Sequence, residues 1–129
     1  MTTIVRVRTP DGDYALPVER VREVRSVGGL TPLPEAREGV AGLLHLGGNT
    51  ITVLSVLSRE GAHVVVIDVD EVTFGLLVDE VTGVEQVADD AVGPSPAGQD
   101  RPMVDGVLIT PRGVVLRLDL SALARWLAT

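Results

Sequence analysis

The chain has 129 residues, the size of one domain or of two very small ones sharing a core, and burying about 65% of its unfolded surface is enough for folding without metal or disulfide staples. Hydrophobic residues make up 45% of it, yet only Tyr14, Phe74 and Trp126 are aromatic, and the absence of cysteine excludes disulfides, thiolate metal sites and thiol nucleophiles. A net charge of −7 and so few stacking rings argue against nucleic acid as a partner. The apolar runs, such as Val64 to Ile67, are far too short to span a bilayer. Met1 to Ile4 leads straight into an alternating segment without a signal-peptide core, so a cytoplasmic location without membrane insertion is expected. The abundance of valine, stiff and branched at Cβ, favours strands and an all-β class.

Ile4 to Arg8 alternates apolar and polar residues and stops at Thr9-Pro10-Asp11-Gly12, which predicts a strand and a hairpin into Tyr14-Ala15-Leu16. Val18, Val21 and Val24 recur every three residues and suggest a helical turn from near Pro17. After the Gly28-Gly29 break, Thr31-Pro32-Leu33-Pro34 reads as a loop. Val40 to Leu46 and Ile51 to Leu57 flank Gly47-Gly48-Asn49, a hairpin turn rich in residues that tolerate positive φ. His63 to Val69 and Val72 to Val78 form a second pair around Asp70-Glu71. Residues 89 to 102, with three of the prolines, read as a loop. Val107 to Thr110 and Val114 to Leu118 flank Pro111-Arg112-Gly113 as a third hairpin. Ser121 to Leu127 closes the chain as a short helix capped by Asp119 or Ser121.

The most informative pattern is an internal repeat. At a constant offset of sixty, Leu16, Val18, Val21, Val24 and Val27 fall on Leu76, Val78, Val81, Val84 and Val87, with Tyr14 over Phe74 and Glu19 over Asp79. Gly42-Leu43-Leu44 before one turn matches Gly106-Val107-Leu108 before another. The repeat, roughly 14–56 and 74–120, predicts two similar β-units. About 60 residues each would be marginal alone, so a shared apolar interface within one domain over 1–129 is expected.

Candidate chemistry is sparse. No serine sits in a Gly-x-Ser-x-Gly setting, and only His45 and His63 offer an imidazole base. His45 lies in an apolar strand, where a structural or surface role competes with a partner contact. Asp68, Asp70 and Glu71 put carboxylates on one hairpin, but no ordered loop completes a hard-cation site. No cofactor is expected, since the glycine pairs match no phosphate-cradling loop. Leu43-Leu44-His45-Leu46 carries apolar residues on both faces of its strand, either because both are buried or because one is a strip for a partner.

Tyr14-Ala-Leu-Pro-Val-Glu-Arg-Val-Arg-Glu-Val, Thr31-Pro-Leu-Pro-Glu-Ala, Val40-Ala-Gly-Leu-Leu-His-Leu-Gly-Gly, Phe74-Gly-Leu-Leu-Val-Asp-Glu-Val-Thr-Gly-Val, the Val92-Gly-Pro-Ser-Pro loop and Val114-Val-Leu-Arg-Leu-Asp-Leu before a closing helix follow one another in order. The series resembles CheW-like domains over nearly the whole chain. The resemblance implies two small SH3-like five-stranded β-barrels packed over a shared apolar core, with a short C-terminal helix. It also implies a non-enzymatic adaptor that couples the cytoplasmic tip of a chemoreceptor to the regulatory domain of a CheA-like histidine kinase. Carried over by position, the partner-binding residues are Val21, Glu23, Gly42, Leu43, His45 and Leu46.

Two departures stand out. The family's Asn-Leu-Arg-Gly reads His45-Leu46-Gly47-Gly48 here, so the arginine of receptor coupling is a glycine. Its Pro-x-x-Asp-Leu is lost in Thr52 to Val56. A divergent paralogue that binds the kinase or itself, and a small-molecule sensor using the cleft between barrels, are the competing readings.

Overall fold

The protein is described from a computed structural model covering residues 1–34, 36–88, 103–128 and the backbone of 92–93. Twelve strands precede one helix: β1 (Thr2–Thr9), β2 (Gly12–Pro17), β3 (Val21–Ser26), β4 (Leu30–Pro32), β5 (Val40–Leu46), β6 (Asn49–Leu54), β7 (His63–Val69), β8 (Val72–Val78), β9 (Glu80–Val87), β10 (Val92–Gly93), β11 (Val104–Thr110), β12 (Gly113–Leu118) and α1 (Leu120–Ala128). They form two curled six-stranded sheets, the first ordered β10-β11-β12-β2-β1-β9 and the second β3-β7-β8-β6-β5-β4. The sixth strand in each is a very short edge, β10 or β4.

Replacing β1–β6 by β7–β12, and the reverse, turns one strand order into the other. Each half contributes a hairpin, β1–β2 or β7–β8, whose third strand crosses over to finish the opposite sheet: β3 pairs with β7 and β9 with β1. The irregularities repeat too. A bulge interrupts β1–β9 at Arg6/Val7 and β3–β7 at Val21/Glu23, and another pair of bulges interrupts β5–β6 and β11–β12. Such bulges bend a strand and strengthen its twist, which helps each sheet curl.

Because each sheet is covered on both faces, its central strands carry continuous apolar runs rather than clean alternation. One large core joins the two sheets and includes Val5, Val7, Tyr14 and Leu16 from the first, Val65, Ile67, Phe74, Leu76 and Val78 from the second, and Leu120, Leu123 and Ala124 from α1. The far face of the second sheet buries Leu44, Leu46, Ile51, Val53, Val64, Val66 and Leu77. The far face of the first buries a smaller set, Ile4, Ala15, Val87, Leu108 and Val115.

That smaller set is completed by a charge. Arg6, read from the sequence as one polar residue of an alternating strand, is only 4% exposed. Its Nε donates to Asp13 Oδ2 at 2.7 Å, and its terminal nitrogens donate to Glu85 Oε1 at 3.3 Å, Thr110 Oγ1 at 3.1 Å and the Arg112 carbonyl at 3.2 Å. With each of its three nitrogens hydrogen-bonded and two carboxylates beside it, the guanidinium is tolerated inside.

The hairpins follow from turn chemistry. Thr9-Pro10-Asp11-Gly12 and Thr110-Pro111-Arg112-Gly113 close in the same way: the threonine hydroxyl donates to the glycine carbonyl and accepts the N–H two residues on. Gly12 and Gly113 take φ of +127° and +110°, open to glycine alone at little cost. The β7–β8 turn instead places Asp70 and Glu71 at φ of 49° and 66°, a left-handed pair that fits a two-residue hairpin.

Several expectations change. The helical turn near Pro17 is a single 3₁₀ turn at Val18–Arg20, and Val21 already belongs to β3. The three-residue valine spacing comes from that turn running into a bulged strand, not from a helix face. The same holds for Val81, Val84 and Val87, which lie on β9. Thr31 and Pro32, read as loop, pair with β5 as part of β4, and the strand expected to reach Leu57 stops at Leu54. The loop expected at 89–102 falls outside the described residues except for β10. Asp119, not Ser121, caps α1, its Oδ1 accepting the Ala122 N–H at 3.0 Å.

Phe74 is fully buried at the centre of the shared core. Phe74→Ala should therefore destabilise the whole chain by about 3–5 kcal/mol. Urea unfolding should still show one transition for both sheets, because they share that core.

Candidate functional site

No proton relay assembles around the histidines. His45 is exposed and its Nδ1 lies 3.0 Å from Thr50 Oγ1 across the β5–β6 hairpin. Ser58 is 4% exposed and donates to Asp79 Oδ1 at 2.7 Å, while His63 Nδ1 meets the Asp79 backbone carbonyl at 3.2 Å. The serine hydroxyl is thus engaged by a carboxylate and the imidazole by a backbone carbonyl, so neither histidine serves the hydroxyl, which solvent barely reaches. Asp68 accepts a hydrogen bond from Thr73 across the β7–β8 hairpin. Among the described residues, no three His, Asp or Glu side chains are grouped so as to hold a metal ion.

The six residues carried over from the sequence fall on two strands. Val21 and Glu23 lie on β3; Gly42, Leu43, His45 and Leu46 lie on β5. Three strands, β7, β8 and β6, stand between them in the sheet. Hydrogen bonding therefore does not bring the two groups together.

Within β5 the pleat separates their roles. Leu44 and Leu46, at 2% and 8% exposure, point into the far-face core of the second sheet. Leu43 and His45 point the other way, half-buried and exposed. The apolar run is thus neither buried on both faces nor an open strip. Gly42 is a packing position: a Cβ there would lie 2.2 Å from the Thr31 carbonyl oxygen on β4. On β3, Val21 packs against the shared core, and Glu23 accepts from Arg25 at 2.9 Å. Val21, Glu23, Leu43 and His45 are the members of the set that solvent reaches.

The structure also exposes apolar residues that the sequence pattern does not mark as outward-facing. Val24 on β3 and Val84 on β9 are 42% and 63% exposed, and Ile109 and Val114, partners across the β11–β12 hairpin, are 68% and 56% exposed. Val24 and Val84 are already matched by the offset of sixty, so their equivalent places on the two crossing strands were legible. Ile109 and Val114 were not, because an uninterrupted apolar run does not show which face is outward. At an offset of sixty-four, the second sheet has His45 and Thr50 in their place. The two halves thus present an apolar pair on one hairpin and a polar, hydrogen-bonded pair on the other.

The Gly47-Gly48 turn is open. A Cβ at either position meets nothing within 4 Å, and Gly47 has φ +57°. Among the described residues, no helix is long and apolar enough to cross a membrane.

The fold is thus a pair of curled β-sheets with single aliphatic residues facing solvent on their strands. The model of the CheW-like domain matches residues 3–128, and the chain belongs to that family. It is similar to the probable chemotaxis protein CheW of Rhizobium etli, 24% identical, over 93% of this chain and 85% of that protein. The chemotaxis protein CheW of Rhizobium meliloti is 26% identical over 92% and 84%. Among solved structures, the scaffolding protein TtCheW from Thermoanaerobacter tengcongensis superposes with a TM-score of 0.81 at 23% identity, over 92% of this chain and 84% of that one. That likeness agrees with two SH3-like barrels.

Gly42→Ala should destabilise the fold by about 1–3 kcal/mol through the clash with β4. His45→Ala, at an exposed position, should stay within about 0.5 kcal/mol of the parent. Denaturant midpoints measured side by side separate packing from surface on the same strand.

Proposed function

We propose that the chain is a non-enzymatic cytoplasmic adaptor that couples chemoreceptors to a CheA-like histidine kinase in a chemotaxis-type pathway. It acts as one domain over 1–129, its two halves intertwined through β3 and β9. The receptor's helical tip docks around Val21, Glu23, Leu43 and His45, with Gly42 and Leu46 shaping that surface from within. The regulatory domain of the kinase takes another face. Support comes from family membership, from the similar solved structure being that of a scaffolding protein, and from relatives that are chemotaxis proteins.

The observation that carries this reading is the set of exposed aliphatic side chains on strand faces, Val24, Val84, Ile109 and Val114. Burying such groups against a partner is what gives an interface its affinity. A catalytic site would instead gather polar groups in a cleft.

A second reading has its own observation. The β5–β6 turn carries Gly47-Gly48 where the family has an arginine, and glycine supplies neither charge nor a bidentate fork. The chain is then a paralogue that binds the kinase without standard receptor coupling.

Calorimetric titration with the regulatory domain of a CheA-like kinase from the same genome, and separately with a receptor-tip fragment, distinguishes these readings. Low-micromolar binding to both is the expected result for the adaptor. Kinase binding alone establishes the paralogue, and binding to neither by the folded chain overturns both. In the first case Leu43→Asp should weaken receptor-tip binding tenfold or more, about 1.4 kcal/mol, with the kinase affinity unchanged.

A further inference from the structure

The second sheet ends on β3, which among the described residues pairs only with β7. Such an edge offers main-chain N–H and C=O groups to a further strand, and charged side chains usually blunt it. β3 carries three charges in Val21-Arg22-Glu23-Val24-Arg25-Ser26, but their order is self-complementary. Glu23 faces Val66 and Arg25 faces Val64, both on the far face of the sheet, whereas Val24 faces Val65 on the side of the shared core. Glu23 and Arg25 thus stand side by side on one face, 2.9 Å apart and both reached by solvent.

We infer that β3 is a self-association site, to which a second copy of this chain adds its own β3, antiparallel, about a two-fold axis at Val24. Such a contact uses the same patch on both copies. On one face Val24 meets Val24 of the second copy. On the other, Glu23 meets Arg25 of the second copy and Arg25 meets Glu23, so each carboxylate gains a guanidinium beside the one it already has. Opposite charges directly across an antiparallel pair stabilise it, and like charges destabilise it. Sliding the register by two residues brings Glu23 onto Glu23 or Arg25 onto Arg25, so the same charges fix the register. The equivalent strand β9 lacks this property. Sixty positions on, Gly83, Val84 and Glu85 stand in place of Glu23, Val24 and Arg25, and Glu85 is already held by Arg6 and Arg112. Laid on itself, β9 gains no charge pair; laid on β3 in the same register, it sets Glu85 against Glu23. A contact through one short strand buries little surface, so the dimer is weak and forms as the chain is concentrated. Under the adaptor reading, a paired β3 would also withhold Val21 and Glu23 from the receptor tip. The pairing itself does not rest on that reading, and its test uses this chain alone.

Sedimentation equilibrium from micromolar to millimolar chain reads the association, and the parent should exchange between monomer and dimer. Glu23→Arg and Arg25→Glu, both at positions that solvent reaches, each set like charges opposite one another twice and should weaken the dimer about tenfold or more. An equimolar mixture of the two variants should recover it, because two positive charges then face two negative ones. Val24→Cys locates the axis. The chain has no native cysteine, and directly opposed residues of antiparallel strands come close enough for a disulfide. Val24→Cys should therefore link into dimers faster than Val84→Cys, although Val84 is the more exposed. A parent that stays monomeric, a mixture no more associated than either variant alone, or linking at Val84 as fast as at Val24 would overturn the inference. So would a dimer that persists in both single variants, which would place the contact elsewhere, as at the exposed pair Ile109 and Val114.

Discussion

Strands β3 and β9 each leave the hairpin that precedes them and complete the opposite sheet, and the rest of the molecule depends on that exchange. Neither half of the chain can close its sheet alone, because each lacks the strand the other holds. The exchange puts both sheets back to back, so Tyr14 and Phe74, one from each half, lie in a single core. It also explains how a chain with three aromatic residues builds a stable interior. The aliphatic side chains of β7 and β8 are used on both faces, one toward the shared core and one toward the second sheet's own. Small, branched residues suit such a layer, since they fill a pleated surface from either side with few rotamers to lose.

Much of this was legible in the residues. The β1–β2, β5–β6, β7–β8 and β11–β12 hairpins announce themselves by turn residues between apolar runs, and β7–β8 was read to its last residue. The pairing order of the sheets is another matter, because nothing local in β3 says that its neighbour lies on β7, forty residues further on. The valine stripes show why period is an uncertain guide. Val21, Val24 and Val27 repeat like a helix face, yet Val21 packs inward, Val24 faces solvent and Val27 turns to the second sheet's own core. A bulge adds one residue and moves the following side chains to new faces. Which residues of β5 face solvent was half-legible for the same reason. Leu46 and His45 are adjacent in sequence, and only the pleat reveals that one is interior and the other not.

Once the halves are superimposed in sequence, their differences become the informative part. The same backbone place holds Val66 in one sheet and Arg6 in the other, His45 and Thr50 in one hairpin and Ile109 and Val114 in its counterpart. The shared core stays aliphatic in both halves. The divergence lies at the ends of the sheets, where one unit has become polar inside and apolar outside relative to its twin. A duplicated scaffold with two dissimilar outer surfaces can hold two dissimilar partners at a fixed separation, which neither half could do alone.

The second sheet is drawn from one uninterrupted stretch, β3 to β8, whereas the first is assembled from the two ends of the chain. During synthesis the β1–β2 hairpin therefore leaves the ribosome long before its closing strand exists. Arg6 and Glu85 are 79 residues apart, about 4–16 s of translation. For that interval β1 carries an unpaired edge, the feature by which nascent sheets most readily join the wrong chain. Charged side chains on an edge strand disfavour pairing with another chain, and Arg6, with Arg8 one pleat further along, puts two on this one. The side chain that ends buried in the folded protein begins as the guard of an open seam.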